Sequence, residues 1–152
     1  MPHVVTGLLL NRGKQFLAEL LAGKHSNDQF GMFIEYYNGS DSFDAPTILS
    51  TRDKTYYDNL SSPKGYVTVP FVSTAALIDT SYKASFSGTV LPSYTGHGAT
   101  LGNTSRFYSA TLVYMPDNTP IFVRNFYAND TFAPVSNVAN TNFTATINLM
   151  LG

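Results

Sequence analysis

From Phe30 to Leu151 the chain keeps alternating apolar and polar positions, whereas the stretch before it repeats on a helical period. In GLLLNRGKQFLAELLAGK, the residues Leu9, Gly13, Phe16, Leu17, Leu20 and Leu21 recur every three or four positions. Thr6 is a fitting N-cap and Gly23 a fitting stop, which predicts one amphipathic helix over 6–23. Arg12, Lys14, Gln15 and Glu19 form its polar side, so it lies on a surface with its apolar stripe on its own sheet or on a partner.

Beyond the helix the period changes to two. FGMFIEYY at 30–37 places Phe30, Met32, Ile34 and Tyr36 on one face, and Asn38-Gly39 follows as a turn. GYVTVPFV at 65–72 places Val67, Val69 and Phe71 on one face, while Pro70 marks it as an edge strand. YKASFSGTVL at 82–91, RFYSATLVYM at 106–115 and IFVRNFYA at 121–128 follow, the last two joined by the hairpin-like MPDNTP. TNFTATINLML is the cleanest alternation, with Phe143, Ala145, Ile147, Leu149 and Leu151 on one side. The expected fold is mainly β: an antiparallel β-sandwich or jelly-roll-like domain over 30–151, with one N-terminal helix, in a single domain spanning 1–152.

A chain of 152 residues is long enough to bury a sizeable core without staples, in keeping with its lack of cysteine. That lack also excludes thiolate chemistry and sulfur-ligated metals. Net charge is −1, which gives no electrostatic reason to expect nucleic acid or an anionic membrane as partner. No apolar run approaches the length of a membrane span, and the N-terminus has no basic leader-like region, so neither membrane insertion nor a secretory signal is expected.

Only 12% of residues are charged, about half the usual share, and 13 of the 19 charges fall in residues 1–64. The last 46 residues hold only Asp117, Arg124 and Asp130 and depend on Ser, Thr and Asn for wettability. Such a surface is cheap to desolvate against a neighbouring subunit. The plainer alternative is a β-domain with a Thr-rich exterior.

Candidate chemistry is sparse. His3, His25 and His97 lack ligand spacing, and Asp41, Asp44, Asp53 and Asp58 lack the tight pattern of a calcium loop. There is no GxSxG elbow and no phosphate loop; TGHGATLGNTS at 95–105 reads as a long loop and a first candidate for partner contact. In TRDKTYYDNLSSPKGYVTVP, Arg52 and Lys54 can neutralise Asp53 and Asp58, while the tyrosine pair pins a crossing segment to the sheet. No catalytic residue, metal ligand or cofactor follows from these patterns, and the chain is not expected to be an enzyme. Tyr56, Tyr57, Tyr94 and His97 are the candidate partner contacts, because tyrosine joins a large apolar face to a hydrogen-bonding tip.

VVTGLLLNRGKQFLAELLAGK, FIEYYNG, PTILSTRDKTYYDNLSSPKGYVTVPF, the GHG loop and SRFYSATLVYMPD, taken in order, resemble small head-decoration and tail-associated proteins of tailed bacteriophages. That resemblance implies residence in a virion after synthesis in the host cytoplasm. The partners it implies are the major capsid protein and further copies of the chain, with a trimer as first guess. A neck, tail or fibre role in host-glycan recognition is the alternative it leaves open.

Overall fold

A computed structural model describes residues 8–24, 30–38, 52–78, 81–102, 105–116, 119–125, 135–136 and 143–151. These form two antiparallel sheets with one N-terminal helix, a mainly β architecture. The larger sheet has the order β1-β8-β7-β2-β3-β6, with β9 also pairing β7. Its strands are β1 (Leu8–Leu9), β2 (Phe30–Asn38), β3 (Lys64–Val69), β6 (His97–Gly98), β7 (Ser105–Tyr114), β8 (Thr119–Asn125) and β9 (Val135–Ser136). The smaller sheet has the order β10-β5-β4, from β4 (Phe71–Ile78), β5 (Ser81–Val90) and β10 (Phe143–Leu151).

The two sheets share one core. Met32, Ile34, Val67, Phe107 and Leu112 of the large sheet meet Val90, Ala145 and Ile147 of the small one. Phe143 stacks on Phe107 across the gap, with centroids 4.4 Å apart. The alternation in TNFTATINLML thus buries its apolar side as expected: Ala145 and Ile147 are buried, and Phe143 and Leu149 are partly so.

The helix is shorter than its sequence period suggests. Leu8 and Leu9 are extended and pair with Val123 and Phe122 of β8, adding a short edge to the sheet. Helix α1 runs over Asn11–Leu21, with Leu10 at the N-cap and no side-chain cap; Thr6 lies outside the described residues. Backbone pairing wins over helical propensity at Leu8–Leu9 because β8 offers an unfilled ladder there. At the other end Gly23 adopts φ +74, and the amides of Gly23 and Lys24 bond to the carbonyls of Leu20 and Glu19, the two bonds of a Schellman stop.

α1 packs on its own sheet, over β8. Phe16 enters the core between Phe30 and Tyr114, with centroids at 5.7 and 5.0 Å. Gly13 allows the approach, since a Cβ there would fall 1.8 Å from the carbonyl oxygen of Ile121. Gly13→Ala should therefore lift the helix and cost about 1–3 kcal/mol, read as a lower denaturant midpoint. A loss below about 0.5 kcal/mol would show the helix is not held at that spacing.

Pro70 does more than mark an edge. It separates β3 from β4, and the chain changes sheet there. Lacking an amide hydrogen, Pro70 cannot continue a ladder, so the 65–72 run splits into two strands belonging to different sheets. The apolar pattern does not mark β4 beyond Val72, nor the two-residue strands β6 and β9.

Candidate functional site

β2 is buried along both faces, not one. Its second face carries Phe33, Glu35 and Tyr37, and the segment 52–60 lies over it. That segment contains a short helix, α2 (Lys54–Asp58), capped by Asp53, whose carboxylate accepts from the Tyr56 amide at 2.9 Å. Tyr57, fully buried, inserts edge-on against Phe33 at 4.6 Å and meets Tyr66 at 4.9 Å.

Glu35 sits at the centre of this contact, 0% exposed. Its carboxylate accepts from Arg52 Nε at 3.0 Å, Ser109 Oγ at 2.6 Å, Tyr108 Oη at 3.2 Å and Tyr56 Oη. Ser109 reaches it because the two residues are direct cross-strand partners. Tyr108 reaches it because the β2–β7 register shifts by one residue between Glu35 and Tyr36, leaving Tyr108 as the extra residue of a bulge. The Arg52 guanidinium, its side chain 11% exposed, also lies 4.4 Å from the centre of the Tyr56 ring.

Burial is the largest influence raising the phenols of Tyr56, Tyr57 and Tyr108 above their ordinary value, and the Glu35 charge adds to it. Burial alone would lower the Arg52 guanidinium, but Glu35 more than offsets that and holds it above its usual range. Four donors on one carboxylate satisfy the buried charge and hold it in position.

The ion pairing differs from its sequence expectation. Lys54 does pair with Asp58, but Arg52 goes to Glu35, 17 residues away, while Asp53 serves as a helix cap. The tyrosine pair does pin the crossing segment to the sheet, as its spacing suggests.

The four candidate contact residues fall into two places. Tyr56 and Tyr57 touch each other at 5.2 Å, and Tyr66 carries the row on to His97 at 5.1 Å. Along this row Tyr57 is core, Tyr56 is half-buried and only His97 is exposed. His97 belongs to β6, which pairs with β3 through Tyr66, so part of the glycine-rich loop is a sheet edge. Gly98 has φ +90 there, and Tyr36 Oη anchors the loop by donating to the Ala99 carbonyl. Tyr94 lies apart, in the wall of a groove of about 350 Å³ with Pro70, Val72, Ser87 and Thr89.

That groove opens on the outer face of the small sheet. Strand alternation puts Val72 and Thr74 of β4, Ser85, Ser87 and Thr89 of β5, and Thr144, Thr146 and Asn148 of β10 on this side. The side chains pair across the strands: Thr89 with Thr144 at 3.0 Å, Ser87 with Thr146 at 2.7 Å, and Ser85 Oγ donating to Asn148 at 2.8 Å. Lys83 is the only charged residue on this face among the described residues.

A second cavity, about 390 Å³, lies between α1 and the core; its lining includes Phe16, Leu20, Phe30, Phe71 and Leu149, and Ser73 contributes its one hydroxyl. It offers no acid, base or metal ligand. Among the described residues no group of three His, Asp or Glu side chains could hold a metal ion, and no helix is long and apolar enough to cross a membrane. No family model, curated protein or solved structure matches the chain.

Proposed function

We propose that the chain is a structural subunit of a larger particle, in its most concrete form a decoration or cement protein on the capsid of a tailed bacteriophage. The observation that carries the assembly reading is the outer face of the small sheet. Its hydroxyl and amide groups already pair with one another, and almost no charge must be stripped of water when a partner covers it. The phage assignment rests on the sequence resemblance alone. In this reading the two sheets form a jelly-roll-like scaffold, the major capsid protein is the partner, and a trimer is the first guess from family habit.

The mechanism is mass action without a chemical step. A subunit that binds only the assembled shell stabilises it, and repetition multiplies a modest contact of about 800 Å² per partner. The test is cosedimentation with emptied shells at low and high salt. Binding should change little with salt because charge does not drive it, and Ser87→Asp with Thr146→Asp should abolish it while the fold survives. Binding that disappears at high salt, or that ignores the double substitution, would overturn the reading.

A second reading is recognition of host-surface glycan by a neck, tail or fibre component. The exposed His97, backed by the Tyr66 ring, supports it, as does Tyr94 at its groove.

A further inference from the structure

Open sheet edges invite pairing, and folded proteins blunt them with short strands, lysine, proline or bulges. The large sheet follows that rule, ending on the two-residue strands β1 and β6. In the small sheet, β10 is also, among the described residues, an uncharged strand paired on one side only, but it packs toward β7. β4 is different. It is eight residues long, FVSTAALI, with no charge and no proline, and it pairs with β5 without a register shift. Among the described residues nothing pairs with its other side. Apolar side chains stand uncovered along it: Val72 is 70% exposed, and the register partners Leu77 and Tyr82 are 57% and 61% exposed.

We propose that β4 is a self-association edge, at which two copies of the chain pair antiparallel about a two-fold axis and join their small sheets into one. An open strand edge offers a ladder of amides and carbonyls, so its occupant must itself be a strand, and an uncharged strand meets no repulsion from its own copy. Two-fold symmetry restricts the register. The axis must stand normal to the sheet, which keeps inner faces together, so residues of equal parity face each other and the axis passes through Thr74 or Ala75. Leu77 of one copy then lies opposite Phe71 or Ser73 of the other, which covers the exposed leucine. Such a pair is a dimer, unlike the trimer drawn from family habit. The proposal rests on the assembly reading for its purpose, but its geometry stands alone.

The test is the molar mass of the purified full chain across concentration, by light scattering and sedimentation. The native chain should reach twice its 16.6 kDa mass. In Thr74→Lys the two lysines would lie opposite or diagonal to each other at the axis, and self-association should weaken about tenfold or more. Thr74→Glu should weaken it similarly, and an equimolar mixture of the two variants should restore the dimer. Because the chain has no cysteine, Thr74→Cys or Ala75→Cys should oxidise to a covalent dimer. A native chain that stays monomeric at high concentration overturns the proposal, and so does a Thr74→Lys variant as dimeric as the native chain. In a monomer, exchange protection of the alternate 72–78 amides that point away from β5 would also overturn it, by showing that the chain covers its own edge. A dimer that ignores phage shells supports the pairing and sinks the capsid assignment; a monomer that cosediments with shells does the reverse.

Discussion

Glu35→Gln should lower stability by about 3–5 kcal/mol, or roughly 10 °C in melting temperature. The side chain keeps its shape but loses its charge. Arg52, 11% exposed, then loses the carboxylate it bonds to beside the Tyr56 ring. The amide nitrogen, moreover, cannot accept from whichever of Tyr56, Tyr108 or Ser109 it comes to face. Arg52→Met should cost a comparable amount, because it removes, among the described residues, the only cation bonded to a carboxylate with no access to water. The two losses should not add, because Glu35 and Arg52 act through one shared ion pair. Equilibrium denaturation of the two single variants and the double variant measures this coupling. A Glu35→Gln loss below about 1 kcal/mol would mean the crossing segment is held by its aromatic contacts alone.

Raising the pH above 10 should unfold the protein cooperatively. Burial pushes Tyr36 up to about 12 and raises Tyr57 and Tyr108 well above their ordinary value, and all three are buried. Unfolded phenols lose their protons near pH 10, so above that pH the unfolded state binds fewer protons than the folded one. Stability contributed by these groups is complete below about pH 10 and falls as pH rises beyond it. Each buried phenol removes about 1.4 kcal/mol per pH unit, and three together remove about 4. A domain with ordinary stability of about 5–15 kcal/mol cannot absorb that for long. Tyrosinate absorbance and circular dichroism followed together should show the share of the absorbance rise that belongs to Tyr36, Tyr57 and Tyr108 arriving with the loss of the sheets. Ionisation of Tyr36, Tyr57 and Tyr108 near pH 10 with the sheets intact would contradict the burial described here.

Much of the strand pattern could be read directly. β2, β5, β7 and β10 lie close to where period-two alternation puts them, because in each the apolar side meets the shared core. The Glu35 cluster could not be read in the same way. In FGMFIEYY, the glutamate occupies the polar side of an alternation, and only its neighbours Phe33 and Tyr37 hint that this side is covered too. Asp53 and Asp58 lie nearer to Arg52 in sequence than Glu35 does, so local charge counting assigns it to the wrong partner. α2 is too short for periodicity to reveal, although Asp53 three residues before Tyr56 is a capping signal. Leu8 and Leu9 fit a helical stripe as well as a strand, and only the presence of β8 decides between them.

The uncharged face could be read from composition as a tendency, since Ser, Thr and Asn dominate the C-terminal third. Its arrangement could not, because the hydroxyl pairs join β5 to β10, 55 to 63 residues apart in sequence. Of the four candidate contacts, composition could not separate Tyr57, which fills the core, from Tyr94, which borders the groove on that face.

The proposed role is the burial of a weakly charged sheet face against a repeated partner. Imaging of intact particles that carry the chain tests this most directly. The account predicts many copies spread over the shell, with the outer face of β10-β5-β4 turned toward the capsid subunits. Particles whose shells lack the chain, or copies that present this face to solvent, would contradict it.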